Sequence, residues 1–227
     1  MGPAKYIQRR FYTPYEVAQH NSPDDCWVSF LGSVYNLTSL IKNNPGILSA
    51  PLIKVAGQDI SNWFDERTRD VKVHICPVTH LSRYYIPMGQ FPHIPPVEPV
   101  GDWDTSYGIP WWKDKQYQVG NLSQRIRLVR IKNVLTGQED TIEVPSEETI
   151  AEIRERYLEL NWHAKSYTWK ALVRSEASYL FVELDMNKTL AENEVQDEAT
   201  EFEDHHISTD FYIPILHVYW NDDLTVA

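Results

Sequence analysis

Short hydrophobic runs separated by tight turns characterise the N-terminal third of the chain. The runs Trp27–Phe30 and Ser33–Leu37 have the length and the aromatic and β-branched content that is typical of strands. Short helical stretches surround them, and Thr13 followed three residues later by Glu16 is the pattern of a capping box at a helix start. This mixture predicts a small α+β module over residues 11–88.

A second, more regular pattern begins at Arg125. Hydrophobic and polar residues alternate over Arg125–Val134 and again over Thr141–Val144, with a Leu-Thr-Gly turn between them, which predicts a β-hairpin. The segment Ser146–Glu148 is predicted to cap a helix. The helix would bury one face, formed by Ile150, Ile153 and Tyr157. A hairpin followed by a helix begins a β-grasp fold, which we predict over residues 123–223.

Proline and tryptophan dominate the stretch between these modules. Prolines lack the amide hydrogen that a β-ladder needs, so residues 89–122 are predicted to form an extended linker. The residues concerned are Pro92, Pro95, Pro96, Pro99 and Pro110, with Trp103, Trp111 and Trp112. The tryptophans would either pack onto a folded module or form a docking strip for another chain, and the cost of exposing them favours packing.

Composition narrows the classes of function. The formal net charge of −11 opposes binding to a phosphate backbone, so we expect no nucleic-acid partner. No run approaches the ~20 apolar residues that a membrane span needs, so we expect no membrane partner. The two cysteines, Cys26 and Cys76, are too few for a disulfide framework, which fits a reducing compartment. No phosphate loop or nucleophile motif is present, and we predict that the protein is not an enzyme.

Four motifs in the first module occur in the order found in the cytochrome b5 family. They lie at Thr13–Asn21, Asp24–Val28, Gly32–Thr38 and Ala56–Phe64. The module therefore resembles cytochrome b5, and the resemblance implies a small sheet that carries two helix hairpins with haem b clamped between them.

The same resemblance implies a weakened haem site. The family's first axial histidine corresponds here to Asn44, whose amide oxygen is a poor ligand for haem iron. The second would be the first histidine after Phe64, which is His74, with His80 next; an ordinary surface histidine is the alternative. Arg67–Asp70 is an insertion that we expect to lengthen the helix hairpin. His74 is the predicted cofactor and metal ligand, and haem binding would be conditional or weak.

Two further metal-binding possibilities are disfavoured. The thiolate of Cys76 could bind oxidised iron, but a partly buried free cysteine is the simpler interpretation. The pair His205–His206 lies beside Glu201, Glu203 and Asp204, and a solvated polar loop is the simpler interpretation there.

The second module resembles the ubiquitin fold in its hairpin, its helix and a last strand at Ile215–Trp220, with an acidic insertion at 194–204. A ubiquitin-type modifier needs a terminal Gly-Gly, whereas this sequence ends Leu224-Thr225-Val226-Ala227, so no conjugation is expected. The expectation is a binding module that uses a sheet face or an edge strand.

The whole arrangement is similar to a family of two-module axonemal proteins. That resemblance implies a cytoplasmic and cytoskeletal location in the cilium or flagellum, with radial spoke proteins as partners and a possible redox-dependent haem site. One alternative is a soluble haem-binding redox partner, which should have kept two axial ligands. A ubiquitin-like adaptor for degradation is disfavoured by the missing Gly-Gly.

Overall fold

The computed structural model describes residues 9–96, 101, 103, 105–174, 178–208 and 211–220. The chain divides into two compact units, residues 1–122 and 123–227. The end of the predicted second module at 221–223 and the C-terminal tail without Gly-Gly lie outside the described residues. The fold is α+β: each unit combines a five-stranded sheet with short helices.

A five-stranded sheet forms the base of the first unit, in the order β1-β7-β4-β3-β2. Its central strands are the two that the sequence predicts, and they pair in antiparallel register with Val28 opposite Tyr35. The strands are β1 (Phe11–Tyr12), β2 (Asn21–Ser22), β3 (Asp25–Phe30), β4 (Ser33–Asn36) and β7 (Gln118–Leu122). A separate two-stranded hairpin consists of β5 (Val73–Ile75) and β6 (Ser82–Tyr84).

The helices of the first unit confirm part of the expectation. The predicted capping box is present at α1 (Pro14–Gln19), where the Thr13 hydroxyl accepts from the amide of Glu16. Helices α2 (Thr38–Asn43) and α3 (Ala50–Lys54) follow each other across a short connection at residues 44–49. In place of a second helix hairpin, the described chain has a single 3-10 turn at Ser61–Trp63, then a tight turn, then the β5–β6 hairpin.

The tight turn corrects the expectation that Arg67–Asp70 lengthens a helix hairpin. The Asp65 carboxylate accepts hydrogen bonds from both the amide and the hydroxyl of Thr68, at 2.8 and 2.9 Å. The Asp65 amide donates to Asp70 O, which closes the turn on itself. These bonds from Thr68 lower the pKa of Asp65. Local side-chain bonding of this kind competes with helix formation, which explains why the insertion does not extend a helix.

The segment at 89–122 differs from the extended linker that its composition predicts. Phe91, Ile94, Trp111 and Trp112 are buried in the core of the first unit, and residues 118–122 form β7 inside its sheet. A side chain at Gly120 would meet the Tyr12 ring at 2.7 Å, so this close approach requires glycine. Prolines prevent a continuous β-ladder, but the side chains between them can still be buried.

The second unit contains a five-stranded sheet in the order β11-β10-β12-β8-β9. Its central pair, β8 and β12, runs parallel, and the other pairs are antiparallel. The predicted hairpin and last strand are confirmed. The strands are β8 (Ile126–Asn133), β9 (Glu139–Pro145), β10 (Tyr167–Arg174), β11 (Tyr179–Glu183) and β12 (Ile215–Trp220).

Helix α4 (Ile150–Tyr157) packs on this sheet through the predicted face: Ile150, Ile153 and Tyr157 are fully buried. The cap is displaced from the predicted position at Ser146–Glu148. Thr149 is the N-cap and makes a capping box with Glu152. The predicted acidic insertion contains α5 (Ala199–Asp204), a short helix with no buried residue.

Glu148 has a different role from the predicted capping one. Its two carboxylate oxygens accept from Nε and Nη2 of Arg156 at 2.6 and 2.7 Å. Both side chains are buried, so the charges compensate each other away from water.

Candidate functional site

The position of the missing first ligand lies at the end of α2. Asn44 is the C-cap of this helix, and its side-chain amide donates to Leu40 O at 2.9 Å. Ser49 closes the following turn by donating to Gly46 O. The local bonding explains why asparagine is suitable here without any cofactor, since its side-chain amide adds a second hydrogen bond to Leu40 O, which also accepts from the Asn44 backbone amide at 3.1 Å.

The predicted ligand His74 lies on the β5–β6 hairpin. It is the central residue of β5 and pairs with Arg83 on β6, so the imidazole and the guanidinium share one face of the hairpin. Both flanking residues, Val73 and Ile75, are exposed apolar side chains, and His74 is itself exposed. The imidazole is therefore accessible to a ligand from solvent.

His74 lines an apolar groove of about 310 Å³. One wall of the groove is the hairpin, and the opposite wall is the stretch from Ile94 to Pro96, which belongs to the segment predicted as a linker. The lining residues are His74, Leu81, Ser82, Arg83, Tyr84, Ile86, Ile94, Pro95 and Pro96. A concave apolar surface with a few polar groups is the usual form of a cofactor pocket, and this volume is at the small end of the range of roughly 300–1,000 Å³.

The other candidate iron ligands on this hairpin, His80 and Cys76, do not line the groove. His80 lies in the turn of the hairpin with φ of 54° and does not line the groove. Cys76 begins the same turn, where its amide donates to Leu81 O. Hydrogen bonds from Thr79 and Val78 lower the pKa of the Cys76 thiol to about 7. Cys26, in contrast, is buried, and burial raises the pKa of its thiol to about 12.

Aromatic side chains fill the interior of the first unit, so the candidate site for a cofactor is the groove beside His74. Phe30, Phe64 and Trp111 pack ring against ring, with ring centroids 4.2 to 6.1 Å apart. Trp112 Nε1 and Lys113 Nζ donate to the Asp70 carboxylate and so attach the segment to the tight turn. Burial alone would raise the pKa of Asp70, but these bonds outweigh burial and keep it below its usual value.

The residues present fit haem attached from one side. Haem iron needs an imidazole or a similar ligand, and His74, the predicted ligand, would supply one from the wall of the groove. Arg83 adds a cation beside it that suits a carboxylate of the haem. A second imidazole at Asn44 is absent, so the donor set differs from the two-histidine arrangement of cytochrome b5.

Sequence reasoning missed Arg83, Tyr84 and the Ile94–Pro96 wall. A signal for the hairpin was present, since Val73–Ile75 and Ser82–Tyr84 flank a short connection whose turn is formed by residues 77–79. The wall carries no local signal, because its position depends on contacts with distant aromatic residues.

The described part of the chain shows neither a cluster of metal-binding side chains nor a helix that could cross a membrane. It contains no group of three His, Cys, Asp or Glu side chains that could hold a metal ion, and this includes the neighbourhood of His205–His206. Among the described helices, none is long and apolar enough to cross a bilayer.

Comparison with known proteins gives a consistent result. A family model described as "Cytochrome b5-like Heme/Steroid binding domain" matches residues 13–122, and this match ends where β7 ends. Cytochrome b5 domain-containing protein 1 of Xenopus laevis is 51% identical over 220 residues, which are 96% of this chain and 98% of the relative. Its human counterpart is 49% identical over 222 residues, 97% of this chain and 94% of the relative.

More distant matches concern single units. Cytochrome b558 of Ectothiorhodospira vacuolata, described as a prokaryotic homologue of cytochrome b5, aligns with 26% of this chain and 70% of its own at 34% identity and a TM-score of 0.22. The C-terminal ubiquitin-like domain of mouse tubulin-specific chaperone e aligns with 42% of this chain and 87% of its own, at 13% identity and a TM-score of 0.28.

Proposed function

Because this chain belongs to the cytochrome b5 domain-containing protein 1 family, we propose that it is a structural and regulatory subunit of the ciliary axoneme that binds radial spoke proteins. Its cytochrome b5-like domain is a haem-binding domain, and we propose that this site holds haem weakly and in a redox-dependent way through His74. The protein acts without catalysis, and its partners are proteins rather than nucleic acid or membrane.

The haem part of the proposal rests on which side chains occupy the two positions for ligands of the haem iron. His74 is exposed on the wall of an apolar groove, and Asn44 at the other ligand position already bonds to Leu40 O. When bound, haem supplies an iron whose oxidation state changes its affinity for axial ligands. A site with one imidazole holds the two oxidation states with unequal strength, since no second ligand compensates for the change. His74 would hold the haem iron through its imidazole, and Arg83 would pair with a haem carboxylate.

The axonemal part rests on the resemblance of the whole chain and is supported by the shape of the units. A small concave groove suits a cofactor, whereas attachment to a large assembly needs an extended surface. The sheet of the second unit offers such a surface and has exposed strand edges. The net charge of −11 would favour basic partner surfaces.

A second candidate function is a soluble haem-binding redox partner. The exposed position of His74 favours it, since an accessible haem can exchange electrons. The single imidazole disfavours it, because efficient electron transfer needs ligands that stay unchanged between oxidation states.

Haem titration tests the ligand assignment. We expect the purified wild-type protein to shift the haem absorption band, with different affinity under oxidising and reducing conditions. The variant His74→Ala should lose this binding, whereas the matched variant His80→Ala should keep most of it, because His80 lies outside the groove. Equal binding by wild type and His74→Ala would reject the assignment.

Localisation in ciliated cells tests the axonemal role. A chain that lacks residues 123–227 should dissociate from the axoneme, whereas full-length His74→Ala should stay attached, since the second unit provides the extended surface. Fractionation of axonemes, with cross-linking to identify neighbours, measures both. Retention of the truncated chain together with loss of His74→Ala would instead make the haem groove the attachment element.

A further inference from the structure

The two edges of the second unit's sheet differ in chemistry. The edge strand β9 carries Glu139, Asp140 and Glu143, and charges of this kind protect an open edge from pairing. The opposite edge strand, β11, has the sequence Tyr-Leu-Phe-Val-Glu and so has one charged residue at its end. The unprotected edge is therefore β11.

Both faces of β11 are apolar and exposed. Tyr179 and Phe181 point to one side with exposed fractions of 64% and 44%, and Leu180 and Val182 point to the other with 52% and 43%. A strand that is covered on one face shows buried and exposed residues in alternation. This strand has no buried residue, so neither face is covered by the described part of the unit.

The register shows which backbone groups of β11 are open. Leu184 donates its amide to Trp169 O at 2.9 Å, and the ladder pairs Val182 with Ala171 and Leu180 with Val173. The even-numbered residues therefore bond to β10. In the described chain β11 pairs with β10 alone, so the amides and carbonyls of the odd-numbered residues point outward from the edge. These are Tyr179, Phe181 and Glu183.

We propose that this edge pairs with β11 of a second copy of the chain, antiparallel and about a two-fold axis at Phe181. The outward residues are arranged symmetrically about Phe181, so an antiparallel copy places Phe181 opposite Phe181 and Tyr179 opposite Glu183. Each of these pairs exchanges two backbone hydrogen bonds. Leu180 then lies opposite Val182 of the other copy, and the two sheets become one continuous sheet with a closed, isologous contact.

The side chains favour a second copy as the occupant. An aromatic pair lies at the centre, an aliphatic pair lies on each side, and the carboxylate of Glu183 lies opposite the Tyr179 hydroxyl, so no like charges face each other. The net charge of −11 opposes the approach of two chains, but this repulsion is long-range and is screened by salt. The dimer should therefore be concentration-dependent and stronger at high salt, the reverse of a contact held by opposite charges.

Sedimentation equilibrium of the full chain tests the pairing without haem or cilia, so it is independent of the proposed function. We expect a reversible monomer–dimer equilibrium that shifts toward dimer between about 0.1 M and about 1 M salt, as the Debye length falls from roughly 10 to 3 Å. A chain that stays monomeric at every concentration and salt level overturns the proposal.

Charge substitutions at the axis locate the contact. Phe181→Lys and Phe181→Glu each place two like charges opposite each other, and each alone should weaken dimerisation at least about tenfold. An equimolar mixture of the two variants should restore the dimer. The matched control is Thr141→Lys on the β9 edge, which should dimerise like wild type.

Folding of these variants needs a check, because the Phe181 ring also contacts His217 and Tyr219 at centroid distances of 5.0 and 5.9 Å. Thermal unfolding and the restored mixture separate loss of the contact from loss of the fold. A dimer that survives in Phe181→Lys, that disappears in Thr141→Lys, or that fails to return in the mixture contradicts pairing through β11.

Discussion

Replacement of Trp111 by alanine should lower the free energy of unfolding of the first unit by about 3–5 kcal/mol. The indole is fully buried and contacts Phe30, Tyr35, Phe64 and Phe91. Its removal leaves a cavity between rings that belong to separate elements, so neighbouring side chains cannot easily fill the space. Denaturant unfolding, followed by hydrogen exchange of the β3 and β4 amides, measures the change in this unit.

Trp162→Ala is the matched control. This tryptophan is 79% exposed in the second unit, so its removal should change stability by no more than about 0.5 kcal/mol. If Trp111→Ala behaved like Trp162→Ala, the burial of Trp111 would contribute nothing to stability, against the packing that the cost of exposing tryptophan favours.

Replacement of Glu148 by alanine should destabilise the second unit by about 3–5 kcal/mol, because it removes the buried carboxylate that accepts two hydrogen bonds from the guanidinium of Arg156. The exposed fractions of the two side chains are 2% and 8%, so water cannot take the place of the carboxylate. Thermal unfolding followed by hydrogen exchange of the β8 and β12 amides measures this loss.

Glu155→Ala is the control for Glu148→Ala, since Glu155 pairs with Arg154 and Lys165 at the surface and should contribute only about 0–1 kcal/mol. Replacing Glu148 and Arg156 together by leucines should recover part of the loss, because no charge is then left buried. Equal destabilisation by Glu148→Ala and Glu155→Ala would contradict this account.

The sequence predicted the elements whose signals are local. Aromatic and β-branched content identified the strands on both sides of Gly32, and alternation identified the hairpin that begins the second unit. Three-residue and four-residue spacing identified the buried face of α4. The helix cap was misplaced because Ser146 is followed directly by two glutamates and was taken as the cap. The capping-box spacing favours Thr149, which has Glu152 three residues later, and the structure shows this capping box with Thr149 in the extended backbone conformation of an N-cap.

The parts that could not be predicted depend on contacts between distant residues. Strand β7 pairs with β1 and β4, about 100 residues earlier, and no local pattern in Gln118–Leu122 indicates this partner. The His74 groove is similar: distance from the Ala56–Phe64 motif indicated the histidine, but the hairpin that presents it replaces the helices that the resemblance implied. The assignment of His74 as ligand stays a prediction.

The late position of Trp111 and β7 also has a consequence for synthesis on the ribosome. Residues 11–88 emerge first, yet the sheet and the aromatic core of this unit are complete only when residues 111–122 have followed. At ~5–20 residues per second, the intervening stretch of about 30 residues takes roughly 2–6 s. During that interval Phe30 and Phe64 lack their contacts with the Trp111 indole, so we expect these rings to be exposed on the nascent chain until Trp111 has emerged.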